Sequence, residues 1–295
     1  MSYHGDVNPF AVPLSRWYAT HARDLPWRRE GVSAWGVLVS EIMLQQTPAA
    51  RVIPYWESWM RLWAEPVDLA ETGAAEVIRA WGTLGYPKRA LRLRECANII
   101  SEEYAGVVPD DEGVLRSLPG IGEYTAAAVA GFAYGKRSVV LDTNIRRVLA
   151  RAYGGEALPS PHITAAERGM AADLVPTLVA EAVIWNQSTM EMGAVICRVR
   201  DHDCDACPIN DLCAWREAGF PGDIYAGQRR TQGWEGTDRQ ARGRIMSVLR
   251  DSEGELVPMA ALLKLGASDS QMVRAIDGLI TDGLAVRRGD AIGLP

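Results

Sequence analysis

The stretch 114-VLRSLPGIGEYTAAAVAGFAYG-135 carries the most structural information in this chain. It reads as a helix, a tight Pro-Gly turn and a second helix of small residues able to pack closely. Pro119, Gly120 and Gly122 allow a short hairpin whose backbone N–H groups point outward. With a helix N-terminus directly behind it, such a hairpin is a ready phosphate site. Contacts of that kind position a protein on a nucleic acid and carry no base sequence. Taken alone, the same five residues, LPGIG, also suit an ordinary turn between two helices.

Outward from the hairpin the chain keeps reading as helix, and the fold class expected is all-α. Upstream, 34-AWGVLVSEIMLQQ-46 is largely apolar with Glu41 at its centre, and residues 73–82 and 87–104 carry helical periodicity. Downstream come a short β-branched run at residues 138–140, a helix from about Ile145, and helices around 164–180 and 181–194. The segment 220-FPGDIYAGQRRTQGWEG-236 is loop-like and reads as a linker. Helices are then expected at 237–250, 257–265 and 268–283, followed by a hairpin in LAVRRGDAIGLP. No internal repeat is present.

Composition narrows the function classes. The 295 residues carry a net charge of −6, which argues against a generic cationic nucleic-acid binder but not against a local basic face. Residues 227–295 hold 10 Lys/Arg against 9 Asp/Glu, so the acidity lies in the first 226 residues. Within those, 88-KRALRLR-94 and 146-RRVLAR-151 are basic clusters that on charge alone read as solvated helix faces. The N-terminus lacks a basic patch followed by an apolar run, and no segment approaches the ~18 apolar residues of a membrane span. A soluble cytoplasmic protein with no membrane partner is expected. In that compartment clustered thiols more often bind metal than form disulfides. Four of the five cysteines fall in 197-CRVRDHDCDACPINDLC-213, as C-x6-C-x2-C-x5-C. One short C-x2-C pair is fewer than structural zinc sites usually have. Four thiolates from one compact loop also suit a 4Fe–4S cube, one Cys per iron. The spacing leaves both metals open. Cys96, outside the group, reads as a small core residue.

Seven ordered motifs then line up: 25-LPWR-28, 40-SEIMLQQT-47, 84-LGYPKRALRL-93, 118-LPGIGEYTAAAV-129, 141-LDTNIRRV-148, 185-WNQ-187 and the cysteine loop. Across roughly residues 10–222 the chain resembles the helix-hairpin-helix DNA glycosylases, a superfamily that includes endonuclease III and the adenine-removing MutY family. The resemblance implies a six-helix barrel over 26–137. It also implies a cluster domain from 1–25 and 138–222, with Cys197, Cys204, Cys207 and Cys213 holding a structural 4Fe–4S cluster. That cluster would stiffen a loop presenting Arg198 and Arg200 to phosphate. Leu118, Gly120 and Gly122 would bind DNA through the hairpin, and Gln46 and Tyr86 would wedge in beside the opposite base. Pro87 and Lys88 depart from the aromatic-led sequence common after that tyrosine.

Two positions separate the superfamily's chemistries. Lyase-type members carry a nucleophilic lysine where this chain has Tyr124, and without an amine no Schiff base forms. Glu41 marks the adenine-removing branch. The resemblance therefore implies a monofunctional glycosylase of base excision repair, which flips out adenine opposite 8-oxoguanine or guanine in double-stranded DNA and leaves an abasic site. It would act as a monomer at the nucleoid. Glu41 would be the general acid at adenine N7 and Asp142 the anion facing the oxocarbenium-like sugar, with Tyr124 and Asn144 in support. Arg23, Leu25, Trp27, Arg28 and Gln187 would form the adenine pocket. Glu41, with Leu38, Val39, Ile42 and Met43 around it, is expected to have a raised pKa. Asp142, at a helix start, is expected to be held ionised. A glycosylase for another mismatch, such as T opposite G, and a non-catalytic iron–sulfur regulator are the alternatives.

Many adenine glycosylases continue into a Nudix-like domain. Only 73 residues follow Gly222 here, too few for it, as in short actinobacterial-type members. Residues 223–236 are expected to link to a winged-helix-like module over 237–295, with Arg287 and Arg288 on its wing.

Overall fold

The computed structural model describes residues 8–229, 233, 235–266 and 268–295. Residues 1–7 of the expected first segment, and 230–232 and 234 of the expected linker, lie outside the described residues. Helices run in order as α1 (Ala11–His21), α2 (Ala34–Leu44), α3 (Ala49–Leu62), α4 (Pro66–Glu71), α5 (Ala74–Trp81), α6 (Lys88–Glu103), α7 (Glu112–Ser117) and α8 (Glu123–Tyr134). They continue as α9 (Thr143–Ala152), α10 (Ala165–Leu174), α11 (Val179–Val195), α12 (Ala214–Glu217) and α13 (Asp238–Asp251). The chain closes with β1 (Val257–Pro258), α14 (Met259–Leu263), α15 (Asp269–Thr281), β2 (Val286–Arg288) and β3 (Ala291–Gly293).

The all-α reading holds, and α1 and α3 add to the helices anticipated. The helix expected over 164–180 stops at Leu174. Val175 precedes Pro176 and takes an extended conformation, because a residue before proline is pushed out of the α region. Residues 138–140 form no strand.

The chain divides into two compact units, Met1–Val37 with Asp110–Arg116 and Ile121–Arg230, and Leu38–Pro109 with Ser117–Gly120 and Thr231–Pro295. This partition groups residues 38–109 with the C-terminal residues.

In the first unit α11 packs on α1 and α9, and α12 on α9. Leu14, Ile145, Val148, Leu149, Trp185 and Met192 are buried in its core. The small residues of α8 serve close approach: Ser138 Oγ donates to the Ala127 carbonyl at 2.8 Å, where Gly131 leaves no room for a Cβ.

In the second unit α6 packs on α4 and α5, with Trp59 and Trp81 wholly buried. Gly120 belongs here and has φ +81°, and a Cβ at that position would stand 3.0 Å from Arg92 Cβ. Gly120→Ala is therefore expected to cost about 1–2 kcal/mol, the penalty of left-handed backbone for an L-residue. Urea denaturation would show it as a lower midpoint at unchanged slope. Gly122 needs no such freedom. It is the extended N-cap of α8, and nothing lies within 4 Å of its would-be Cβ.

The tail is a winged-helix-like module. Strands pair antiparallel in the order β1-β3-β2, with Val257 opposite Ile292 and Arg287 opposite Ile292. The first strand was not anticipated from the sequence. Ile245, Leu249, Met272, Ile276 and Ile292 form the module's core, which also takes in Ile78 from α5.

Candidate active site and cysteine loop

The two carboxylates that the resemblance singles out lie in different units. Glu41 sits in the apolar middle of α2. It is 4% exposed, and Leu38, Val39, Ile42 and Met43 around it are all buried. The end of α2 is held by one side chain: Arg89 Nη1 donates to the carbonyls of Ile42 and Gln45 at 2.8 and 2.5 Å. Beyond it Gln46 is exposed with φ +56°, and Tyr86 is exposed with φ +46°. Leu118 is buried, so an outward contact there is made by its backbone.

Asp142 is the N-cap of α9. Its Oδ1 accepts from the Ile145 N–H at 2.6 Å and its Oδ2 from Asn144 Nδ2 at 2.7 Å. These bonds and the Arg147 charge favour the anion, but burial outweighs them and pushes the carboxyl above the ordinary aspartate range. The expectation of an aspartate held low by the helix start is corrected accordingly, because desolvation exceeds the stabilisation from the cap. Tyr124 is half-buried against the same core.

The residues assigned to an adenine pocket converge on a carboxylate that sequence reasoning missed. Glu191 on α11 has a fully buried side chain. It accepts from Arg23 Nε at 2.6 Å and Nη2 at 3.0 Å, and from Arg28 Nη1 at 2.8 Å. Burial works to raise its pKa, yet the bonds from Arg23 and the Arg28 charge prevail and hold it below the usual glutamate range. Tyr18 joins this group, with its hydroxyl 3.4 Å from Gln187 Oε1 and the Arg28 guanidinium 5.9 Å from its ring. Leu25 and Trp27 are buried beside them in the chain. Glu191→Gln leaves two cations short of their anion and is expected to cost about 3 kcal/mol. Because the native pKa is depressed, the pair's contribution is present above the unfolded value near 4.5 and fades as pH falls through the folded one. Wild type and variant should therefore differ in melting temperature at neutral pH and converge in acid.

The cluster 146-RRVLAR-151 is not a solvated face. Arg147 and Arg151 are 6% and 3% exposed, and Arg146 pairs with Glu167 at 2.5 Å. Arg147 Nε donates to the Cys197 carbonyl at 2.6 Å, and its Nη2 donates to the Gly193 carbonyl at 2.7 Å and to Asn144 Oδ1 at 2.8 Å. Arg151 Nη1 donates to the Arg198 carbonyl at 2.8 Å and lies 3.4 Å from Cys197 Sγ, with its guanidinium 4.3 Å from the Trp215 ring. All four loop cysteines line one cavity, together with Arg151 and Trp215. Burial pushes the Cys207 thiol up to about 12. Among the described residues, no three His, Cys, Asp or Glu converge closely enough to hold a single ion. Arg198 and Arg200 are exposed on the loop, and Cys96 is a buried free thiol.

The pattern of the HhH-GPD superfamily of base excision DNA repair proteins matches residues 39–171. The chain is 49% identical over 280 residues to the adenine DNA glycosylase of Mycolicibacterium smegmatis, covering 95% of this chain and 93% of that one. Against the adenine DNA glycosylase of Mycobacterium tuberculosis identity is 46% over 277 residues, covering 94% and 90%. A solved thermostable thymine-DNA glycosylase superposes with a TM-score of 0.64 at 30% identity, over 71% of this chain and 95% of that one.

Proposed function

Since the chain belongs to the HhH-GPD base excision repair superfamily and, within it, to the adenine DNA glycosylases, we propose that it excises adenine opposite 8-oxoguanine or guanine from duplex DNA, leaving an abasic site. The observation that carries this reading is the pair of carboxylates. Glu41 is buried in the middle of α2, and Asp142 is fixed by donors to both of its oxygens.

The reaction needs two carboxyl groups in different roles. Adenine leaves poorly as an anion, so a proton must reach it as the glycosidic bond breaks, and the sugar passes through an oxocarbenium-like state. Glu41, buried in the apolar middle of α2, is the acid that donates to adenine N7. Asp142, oriented by Ile145 N–H and Asn144, presents its negative charge to the sugar. Tyr124 supplies no amine, so no Schiff base forms and the strand stays intact. The base must leave the helix to be reached. Arg23 and Arg28, aimed by Glu191, bind it with Trp27 and Gln187, while Gln46 and Tyr86 fill the space on the opposite strand.

The four thiols suit a 4Fe–4S cluster. A cube takes one cysteine at each iron and so spreads its ligands, whereas a lone zinc draws four to about 2.3 Å. When bound, the cluster supplies a rigid anionic centre and no redox step. Arg147 and Arg151 offset its charge, and Arg198 and Arg200 face phosphate.

Single-turnover base release on duplexes with A opposite 8-oxoguanine, A opposite G, A opposite T and T opposite G tests the reading. Adenine loss opposite the two purines, with breaks only after alkali, is expected. Release of thymine instead would overturn it.

A further inference from the structure

The C-terminal module reaches the Tyr86 loop. Arg239, in the first turn of α13, places its guanidinium 4.6 Å from the centre of the Tyr86 ring, and Arg89 lies 5.6 Å from the same ring. One residue past the loop's proline, Lys88 Nζ pairs with Asp282 Oδ1 at 2.9 Å, and Asp282 also binds Arg242 of α13. Tyr86 and Lys88 are thus both tied to the module. Tyr86 itself is 41% exposed and left-handed, a conformation a tyrosine keeps only where its surroundings hold it. Beside it lies a cavity of about 300 Å3 lined by Gln45, Tyr86, Lys88, Arg89, Arg92 and Gly120. The ring offers a stacking face and Arg92 a guanidinium, while Arg89 and Lys88 are engaged by backbone carbonyls and by Asp282. A purine presents a larger face to that ring than thymine does.

The geometry points to Arg239 as a positioning residue. By holding the Tyr86 ring it makes the C-terminal module part of the site that selects a guanine-type base opposite the excised adenine. This rests on the glycosylase reading and deepens it. Arg239 acts through Tyr86.

The test is binding, which requires no base release. Dissociation constants would be measured for duplexes carrying a tetrahydrofuran abasic analogue opposite 8-oxoguanine, G or T, over a range of salt. Wild type is expected to prefer the two purines. Arg239→Ala should cut that preference about two- to fivefold, the worth of a cation–π contact at an exposed site, with the salt slope unchanged. Arg239→Lys, which keeps a cation over the ring, should retain most of the preference. In a Tyr86→Ala background Arg239→Ala should add nothing. Equal weakening on all three duplexes with a slope reduced by about 1 would make Arg239 a phosphate contact and overturn the assignment. Unchanged preference, in a variant with a wild-type melting temperature, would reduce the module to a structural cap. Lack of adenine release by wild type, with the purine preference intact, would count against the glycosylase reading and leave Arg239 in place.

Discussion

Glu41→Gln is expected to lower single-turnover adenine release by about 10²- to 10⁴-fold, the usual worth of a positioned general acid. Glutamine keeps the shape and the burial of the side chain but has no acidic proton to give. The position is 4% exposed among aliphatic neighbours, so an amide there adds no charge to bury. Affinity for a duplex with an abasic analogue should stay within about tenfold of wild type, a change of 1.4 kcal/mol or less. Loss of binding along with release would mean that Glu41 holds α2 in place and takes no part in the chemistry.

Asp142→Asn should cost a comparable factor for a different reason. The reacting sugar then meets a neutral amide where a fixed negative charge is needed. Two further outcomes identify the carboxylate. Burial raises its pKa, so the acid limb of the wild-type rate profile should lie above the ordinary aspartate range. The same shift reads in stability with the opposite sign to a salt-bridged acid. A carboxyl raised in the fold costs stability as pH rises through its folded value, because the anion is then buried. Asparagine caps a helix as well as aspartate does and carries no charge at any pH. The variant should therefore melt at or above wild type at neutral pH, with the advantage gone in acid. Calorimetry at the two pH values checks this. A variant that melts well below wild type at neutrality would show that the anion stabilises the fold.

Much of this was legible in the chain because each feature needed only local information. The hairpin was visible as Pro119-Gly120, and Gly120 does adopt the left-handed backbone its type permits. The three C-terminal helices and the hairpin followed from periodicity and from Arg288-Gly289-Asp290. What escaped was long-range. Glu191 sits in 190-MEMG-193 like any helical glutamate, and its partners Arg23 and Arg28 are over 160 residues away. The one hint was the pair of arginines flanking a buried LPW segment. Arg147 and Arg151 looked like a solvated face because their acceptors are backbone carbonyls, which leave no mark in a sequence. The helix start before Asn144 predicted an ionised Asp142, since a cap is local and the depth at which it is buried is not.

The Arg147 guanidinium constrains how this chain can drift. It binds Asn144 beside the Asp142 cap, Gly193 on α11 and Cys197 at the head of the cysteine loop. Gly193 has no latitude of its own, since a Cβ there would fall 2.8 Å from Asn144 Cβ. Asn144, Arg147 and Gly193, spread over 50 residues of sequence, thus behave as one heritable unit, joined to Cys197 through its backbone carbonyl. A replacement at any one of those three alone is penalised by the other two. Exchange of this segment between related chains should succeed when residues 144–197 travel together, and fail when a crossover falls inside that span.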